Sequence, residues 1–115
     1  MRRGEIYLVD LDPTVGAESQ KRRPAILVSN DAANRTAERI QRGVVTVVPV
    51  TSNTTRVHPF QVLIPAGEGG LDNDSKAQAE QVRSVDVARL SHHLGTLTTD
   101  TMRQLDDALR LHLSI

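Results

Sequence analysis

The sequence Gly16-Ala17-Glu18-Ser19-Gln20-Lys21-Arg22-Arg23-Pro24-Ala25-Ile26-Leu27-Val28 joins a charged loop directly to an apolar run. The loop contains one carboxylate and three consecutive cations, and the apolar run is typical of a buried strand. We expect Pro24 to open this strand, because proline is tolerated at the first position of a strand. The charged side chains then lie at a strand end, where a fold holds site residues rigidly.

Apolar segments on both sides of this stretch predict a small fold built mainly of strands. The segment 44–50 is almost entirely β-branched and predicts a strand buried on both faces, with Pro49 at a bulge or at the strand's end. The period-two pattern of 75–83 favours one strand with a polar face, and the glycines of 67–74 predict a flexible loop. Further strands are expected at 5–11, 60–64 and 92–97, and a short helix is expected from the turn at 30–34 to residue 39.

The segment from Thr99 to Leu113 is predicted to be an amphipathic helix. Its apolar stripe, spaced by three and four residues, consists of Met102, Leu105, Ala108, Leu109 and a half-buried His112. Thr98 or Thr99 is the expected N-cap. With 115 residues, the chain is expected to form a single domain over residues 1–115, as a strongly bent antiparallel sheet or barrel with one terminal helix.

Composition excludes several kinds of chemistry. The absence of cysteine removes disulfides, thiolate nucleophiles and cysteine zinc sites, and is typical of a protein of the reducing cytoplasm. Tyr7 and Phe60 are the only aromatic residues, so stacking on aromatic rings does not dominate any nucleic-acid binding. The apolar runs are too short to cross a membrane. The net charge is zero, but residues 1–60 carry nine Lys/Arg and six Asp/Glu, which permits a local basic site.

Two polar clusters are candidates for binding a phosphodiester backbone. Arg23 is suited to bidentate phosphate binding, and Glu18 to orienting that arginine or accepting a proton; the alternative is a solvated loop with a surface ion pair. Thr51, Ser52 and Asn53 follow the β-branched strand and offer hydrogen-bond donors, although such residues are also common in ordinary turns.

The strand predicted at 75–83 contributes a third, weaker candidate. In one continuous strand Gln81 and Arg83 face the same side and line a groove together; the alternative is a solvent-exposed strand face. The adjacent His92 and His93 point to opposite faces of their strand and cannot share a metal ion, so no metal site and no cofactor are expected.

A series of short motifs follows in order from residue 3 to residue 84: Arg3-Gly4-Glu5-Ile6-Tyr7, Asp10-Leu11-Asp12-Pro13, Gly16-Ala17-Glu18, Arg23-Pro24-Ala25, Val28-Ser29-Asn30-Asp31, Val48-Pro49-Val50-Thr51-Ser52, Pro59-Phe60 and Ala79-Glu80-Gln81-Val82-Arg83-Ser84. This ordered set, together with the final helix, resembles the MazF/PemK toxin family. The resemblance implies an α+β, mainly β fold: a small SH3-like (CcdB/MazF-type) barrel of bent antiparallel sheet with a C-terminal α-helix, which forms a homodimer.

The resemblance also implies an activity and a set of site residues. It implies a sequence-specific, metal-independent endoribonuclease that cleaves single-stranded RNA, chiefly mRNA, to 2′,3′-cyclic phosphate and 5′-hydroxyl ends. It implies neutralisation by a cognate MazE-like antitoxin. The family's catalytic arginine and threonine correspond to Arg23 and Thr51, its loop glutamate to Glu18, and an RNA-contacting glutamine to Gln81.

The charged loop departs from the family pattern. Many relatives have serine at the position of Ala17, and the segment from Ser19 to Arg22 is also different, which leaves the recognised RNA sequence open. The predicted RNA contacts are Ser19, Lys21, Ser52, Asn53 and Gln81. Glu18 is chemically the easier general base because a guanidinium holds its proton firmly, whereas the family view favours the arginine.

Two other functions stay open at this stage. A CcdB-like gyrase poison has a similar fold without enzymatic activity, but that activity relies on a C-terminal tryptophan motif and this sequence contains no tryptophan. An RNA-binding module that has lost catalysis is the other alternative, and the presence of Glu18, Arg23 and Thr51 argues against it.

Overall fold

The computed structural model describes residues 1–19 and 21–115. In these residues, seven strands and two α-helices follow one another, joined in part by three short 3₁₀ turns. The strands are β1 (Glu5–Asp10), β2 (Arg22–Leu27), β3 (Val44–Thr51), β4 (Gln61–Ile64), β5 (Ser75–Gln78), β6 (Arg83–Asp86) and β7 (Leu90–Thr96), and the helices are α1 (Asp31–Ile40) and α2 (Thr99–Leu113).

The strands form one antiparallel sheet in the order β4-β5-β3-β2-β1-β7, and β6 pairs with the first half of β3. This arrangement confirms the predicted α+β, mainly β fold with a C-terminal helix. Within the described part of the chain no pairing joins β4 to β7, so the sheet is open and the word barrel fits it only loosely.

Apolar clusters cover both faces of the sheet. On one face α2 packs Leu105 and Leu109 against a cluster that includes Ile26 and Val50. On the other face Ala37 of α1 belongs to a second cluster with strand residues. The prediction that β3 is buried on both faces is therefore confirmed for most of its length, because β3 contributes to both clusters.

The two prolines near the site lie inside strands, where pairing on one side is interrupted. β2 begins at Arg22, two residues before Pro24, and its pairing with β3 starts only at Ala25. β3 pairs with β6 up to Val47 and with β5 from Val50, so Pro49 lies where the neighbour changes. Such edge-like positions tolerate a residue without an N–H. The prediction that Pro24 opens β2 is wrong, and so is the prediction of a bulge or strand end at Pro49, because β3 continues to Thr51 and Pro49 keeps its register with Ala25.

The single strand predicted over 75–83 is also wrong. β5 pairs with residues 50–51 of β3, whereas β6 pairs with residues 44–47 of the same strand. The chain must step from one half of β3 to the other, and a 3₁₀ turn at Ala79–Gln81 makes this step. Ala79 is fully buried in the turn, and the Val82 N–H donates to its carbonyl oxygen at 3.1 Å.

The glycine-rich segment 67–74 is packed more closely than the predicted flexible loop. It contains a 3₁₀ turn, Glu68–Gly70, that lies against β7. A Cβ on Gly70 would lie 1.9 Å from the Leu94 carbonyl oxygen, and the backbone there has φ +75°. Only glycine fits both constraints without strain.

The helix α2 has the predicted bounds but buries less at its C-terminal end, and α1 begins at Asp31, within the predicted turn. Thr98 caps α2, accepting a hydrogen bond from the Thr101 N–H at 3.2 Å, and α1 is capped by Asn30. His112 is exposed, contrary to the half-buried position predicted, because the buried stripe ends at Leu109. In the described ranges, neither helix has the length and apolar character needed to cross a membrane.

Candidate nucleic-acid interface

Arg23 and Thr51 lie opposite each other, where β2 begins and β3 ends. Ala25 pairs with Pro49, and continuing that register by two residues places Arg23 opposite Thr51. Both side chains are half-buried. They are therefore held by paired strands rather than by a free loop, which fixes their separation.

Two adjoining clefts share this pair. The first, which we name the loop cleft, has a volume of about 260 Å³ and is lined by Gly16, Ala17, Glu18, Ser19, Arg23, Thr51, Gln78 and Gln81. The second, the strand-end cleft, has a volume of about 410 Å³ and is lined by residues 21–24, 50–52, 70–73, 75 and 94. A ligand that spans both clefts must pass over Arg23 and Thr51.

The Thr51 hydroxyl is oriented by the turn that follows β3. Its Oγ1 accepts a hydrogen bond from the Asn53 N–H at 3.2 Å. A hydroxyl that accepts one bond still has its own proton to donate. Thr51 can therefore donate to an anion placed at the shared wall of the two clefts.

The Glu18 carboxylate folds back on its own loop while lining the loop cleft. Its Oε1 accepts the Val15 N–H at 2.6 Å, and the Glu18 N–H donates to the Val15 carbonyl oxygen at 3.2 Å. These two bonds close a turn over residues 15–18. Oε2 is the carboxylate oxygen that this turn does not use, and it is the group suited to accept a proton in the cleft.

Two glutamines hold the tip of this loop. Gln81 Oε1 accepts the Ser19 N–H at 3.0 Å, and Gln81 Nε2 donates to the Ala17 carbonyl oxygen at 3.1 Å. Gln78 Oε1 accepts the Ser19 hydroxyl at 3.2 Å. The Gln81 amide, which was predicted to contact RNA, thus binds the backbone of the loop, and the Ser19 hydroxyl binds Gln78.

The predicted groove shared by Gln81 and Arg83 is absent from the structure described for residues 78–89. The 3₁₀ turn separates the two side chains, and Arg83 donates instead to the Leu11 carbonyl oxygen at 3.2 Å. Arg89 donates to the carbonyl oxygens of Asp10 and Asp12. Both arginines hold the base of the charged loop.

The remaining predicted residues divide between a cleft and a turn. Lys21 and Ser52 are exposed and line the strand-end cleft. Asn53 lies in neither cleft lining; its Oδ1 accepts the Thr55 N–H at 3.2 Å, which is turn chemistry. The turn interpretation of Asn53 is therefore the one that the structure favours.

Several polar residues of the clefts were not predicted from the sequence, among them Gln78, Asp72 and Asn73. Gln78 precedes the 3₁₀ turn by one residue, and residues three apart share a face in such a turn, which brings Gln78 and Gln81 together. Asp72 and Asn73 line the strand-end cleft. Only a correct prediction of the turn at 79–81 would have revealed Gln78, and no sequence signal marks the other two.

A marked pKa shift occurs at a residue that lines neither cleft. Tyr7 lies on β1, outside both clefts. Burial raises the pKa of its hydroxyl well above the ordinary range, and the hydrogen bond that this hydroxyl donates to Glu5 at 3.0 Å raises it further. Across residues 1–19 and 21–115, no three His, Cys, Asp or Glu side chains are grouped so as to hold a metal ion.

Comparisons with known proteins identify close relatives. A family model described as PemK-like, MazF-like toxin of type II toxin-antitoxin system matches residues 2–113. Endoribonuclease MazF9 of Mycobacterium tuberculosis is 56% identical over 115 residues, which covers 100% of this chain and 98% of the relative.

Solved structures agree with the sequence relatives. MazF from Deinococcus radiodurans has a TM-score of 0.83 at 27% identity, covering 100% of this chain and 97% of that one. A mycobacterial endoribonuclease in complex with its cognate antitoxin has a TM-score of 0.78 at 26% identity, covering 100% of this chain and 96% of that one. The similarity therefore extends over the whole chain, in sequence and in fold.

Proposed function

The chain belongs to the PemK-like, MazF-like family of toxins of type II toxin–antitoxin systems, and on that premise we propose that it is an endoribonuclease toxin that cleaves single-stranded RNA, chiefly mRNA. The observation that carries this proposal is the position of Arg23 and Thr51 on the wall between two clefts. An RNA strand that occupies both clefts presents one phosphate to this pair.

The reaction uses the nucleophile that RNA itself contains. The 2′-hydroxyl oxygen attacks the adjacent phosphorus, its proton passes to Glu18 Oε2, and the bond from phosphorus to the 5′-oxygen breaks. The departing 5′-oxygen takes up a proton from water, so that the products are a 2′,3′-cyclic phosphate and a 5′-hydroxyl end. The protein must align these atoms and stabilise the developing charge, which requires neither a protein nucleophile nor a metal.

Three side chains share this work. Arg23 holds the phosphate through the parallel N–H groups of its guanidinium, a geometry that matches phosphate oxygens. Thr51 donates its hydroxyl proton to a non-bridging oxygen. Glu18 is the better base because a guanidinium holds its proton firmly, whereas a carboxylate is already ionised.

The flanking nucleotides occupy the two clefts. In the strand-end cleft Lys21 contacts the backbone, and Ser52, Asp72 and Asn73 offer hydrogen-bonding groups to base edges. In the loop cleft, the side chains of Ser19 and Gln78 offer further hydrogen-bonding groups to the RNA. Single strands are preferred because unpaired bases can be splayed apart and read at their edges.

The partners follow from the same family membership. A MazE-like antitoxin covers the Arg23–Thr51 wall with an acidic segment, in keeping with the relative solved with its cognate antitoxin. The active form is a homodimer, and an mRNA substrate places the activity in the cytoplasm.

Cleavage of a long RNA in excess EDTA tests this function. The RNA should contain every short sequence context, and the cut ends should be mapped and their termini identified. Cuts at one short motif that leave cyclic phosphate and 5′-hydroxyl ends support the proposal. Intact RNA in every context, with folded and dimeric protein, overturns it.

A further inference from the structure

We infer that Gln81 is a positioning residue, whose side-chain amide clamps the loop that carries Glu18. The inference rests on the proposed function for its catalytic consequence, but the clamp itself concerns the free protein. It assigns Gln81 a role different from the direct RNA contact that the family resemblance implies.

The geometry uses both ends of the amide. Oε1 accepts the Ser19 N–H at 3.0 Å, and Nε2 donates to the Ala17 carbonyl oxygen at 3.1 Å. These two backbone groups lie immediately before and after Glu18. A primary amide supplies one acceptor and one donor to the same loop, which a carboxylate or a thioether of similar length cannot do.

Gln81 is well placed to anchor the loop because its own turn is fixed. Ala79 of that turn is fully buried. The neighbouring Glu80 accepts the Gln61 side-chain N–H at 2.7 Å, and Gln61 in turn accepts the His58 N–H at 3.1 Å. This ties the turn to β4 and to the segment that precedes it.

Among the described residues, the loop tip is held mainly by hydrogen bonds rather than by burial. Gly16, Ala17 and Glu18 are exposed, so burial contributes little to their order. The clamp, the turn that Glu18 closes with Val15 and the bond from the Ser19 hydroxyl to Gln78 are the hydrogen bonds described for the tip, and of these only the clamp holds the backbone on both sides of Glu18. Loss of the clamp should increase the motion of the tip and reduce the fraction of time for which Glu18 lines the loop cleft.

Gln81→Met and Gln81→Glu test the clamp in the full-length protein. Met removes both polar groups at similar length, whereas Glu retains the acceptor for Ser19 but loses the donor to Ala17. Gln104→Met, on the exposed face of α2, is the matched control. The Ser19 amide in the free protein should exchange with solvent at least tenfold faster in Gln81→Met and be unchanged in the control.

Measurements of cleavage rate and of RNA affinity distinguish a clamp at Gln81 from a direct contact between Gln81 and RNA. For Gln81→Met we expect kcat to fall about tenfold and the affinity for an RNA with a 2′-O-methyl group at the cut to change less than threefold. In a Glu18→Gln background the same substitution should cost less than twofold. Unchanged exchange at Ser19 together with a large loss of RNA affinity overturns the clamp, as does a full additional loss in the double variant.

The exchange measurement needs neither RNA nor activity. If the protein fails to cleave any RNA, the proposed function fails, while the Ser19 amide still reports whether Gln81 holds the loop. A thermal melt of each variant shows whether the fold is intact, and a variant that melts early is replaced by Gln81→Asn. Because Asn is one methylene shorter, faster exchange at Ser19 is expected for it as well.

Discussion

Arg23→Lys tests the most specific part of the mechanism, because it keeps the positive charge and removes the planar guanidinium that can form two parallel hydrogen bonds. The half-buried guanidinium offers two parallel N–H groups to a phosphate, whereas an ammonium bonds as a point charge. A hydrogen bond to a charged group contributes about 1.5–3 kcal/mol. Losing one such bond at the transition state lowers kcat by roughly 10- to 150-fold.

The assay is single-turnover cleavage of a short RNA that contains the mapped motif. Arg39→Lys on the exposed surface of α1 is the matched control and should cleave at the wild-type rate. Thermal melts of both variants should coincide with the wild type. Cleavage by Arg23→Lys within twofold of the wild-type rate would refute the bidentate role and leave Arg23 as a simple source of positive charge.

Three further predictions concern the site and the fold. Thr51→Val should lower kcat at least tenfold through loss of the hydroxyl donor, and Thr51→Ser should restore most of it, as followed in the same assay. Gly70→Ala should lower the free energy of unfolding in urea by about 1–3 kcal/mol more than Gly43→Ala, because both have positive φ but only the Cβ at Gly70 meets backbone within 4 Å; equal losses would contradict the close approach. Since the pKa of Tyr7 is raised in the folded state, neutral Tyr7 contributes stability that is intact below the ordinary pKa of about 10 and is lost at higher pH. The phenolate absorbance of this single tyrosine should therefore rise at higher pH in the folded than in the urea-unfolded protein, and coincident titrations would contradict its burial.

Local sequence patterns predicted those parts of the fold that one element determines by itself. The stripe of α2 and its cap at Thr98 specify a helix from Thr99 to Leu113, and the structure has that helix with the same ends. The β-branched run of β3 specifies a strand, and burial on both faces follows from its central place between two apolar clusters.

Sequence patterns failed to predict the structure of a segment where that structure depends on which strand the segment pairs with. The alternation over 75–83 is compatible with one strand, but the two ends of that segment pair with different halves of β3. That change forces the turn carrying Gln81, and it explains both the missed role of Gln78 and the wrong prediction that Gln81 and Arg83 share a groove. No local pattern encodes such a step.

The candidate site was predicted partly by chemistry and partly by resemblance. The charges of Glu18 and Arg23 and the hydroxyl of Thr51 are visible in the sequence. The convergence of Arg23 and Thr51 depends on the register between β2 and β3, and that of Glu18 depends on the hydrogen bonds of its loop. Asn53 was predicted to bind RNA, whereas in the structure its side-chain oxygen accepts a hydrogen bond from the Thr55 N–H within a turn. Polar residues after a strand serve turns as readily as ligands, and only three-dimensional placement separates the two roles.

The central claim is that the RNA supplies its own nucleophile at the Arg23–Thr51 wall, and a single 2′-deoxy substitution at the mapped cut tests it most directly. Binding and cleavage of this RNA should be compared with those of the unmodified strand. We predict unchanged affinity within about threefold and complete loss of cleavage at that position, with no new cut elsewhere. Cleavage of the substituted RNA at the same bond would contradict the mechanism, because it would require a nucleophile other than the 2′-hydroxyl.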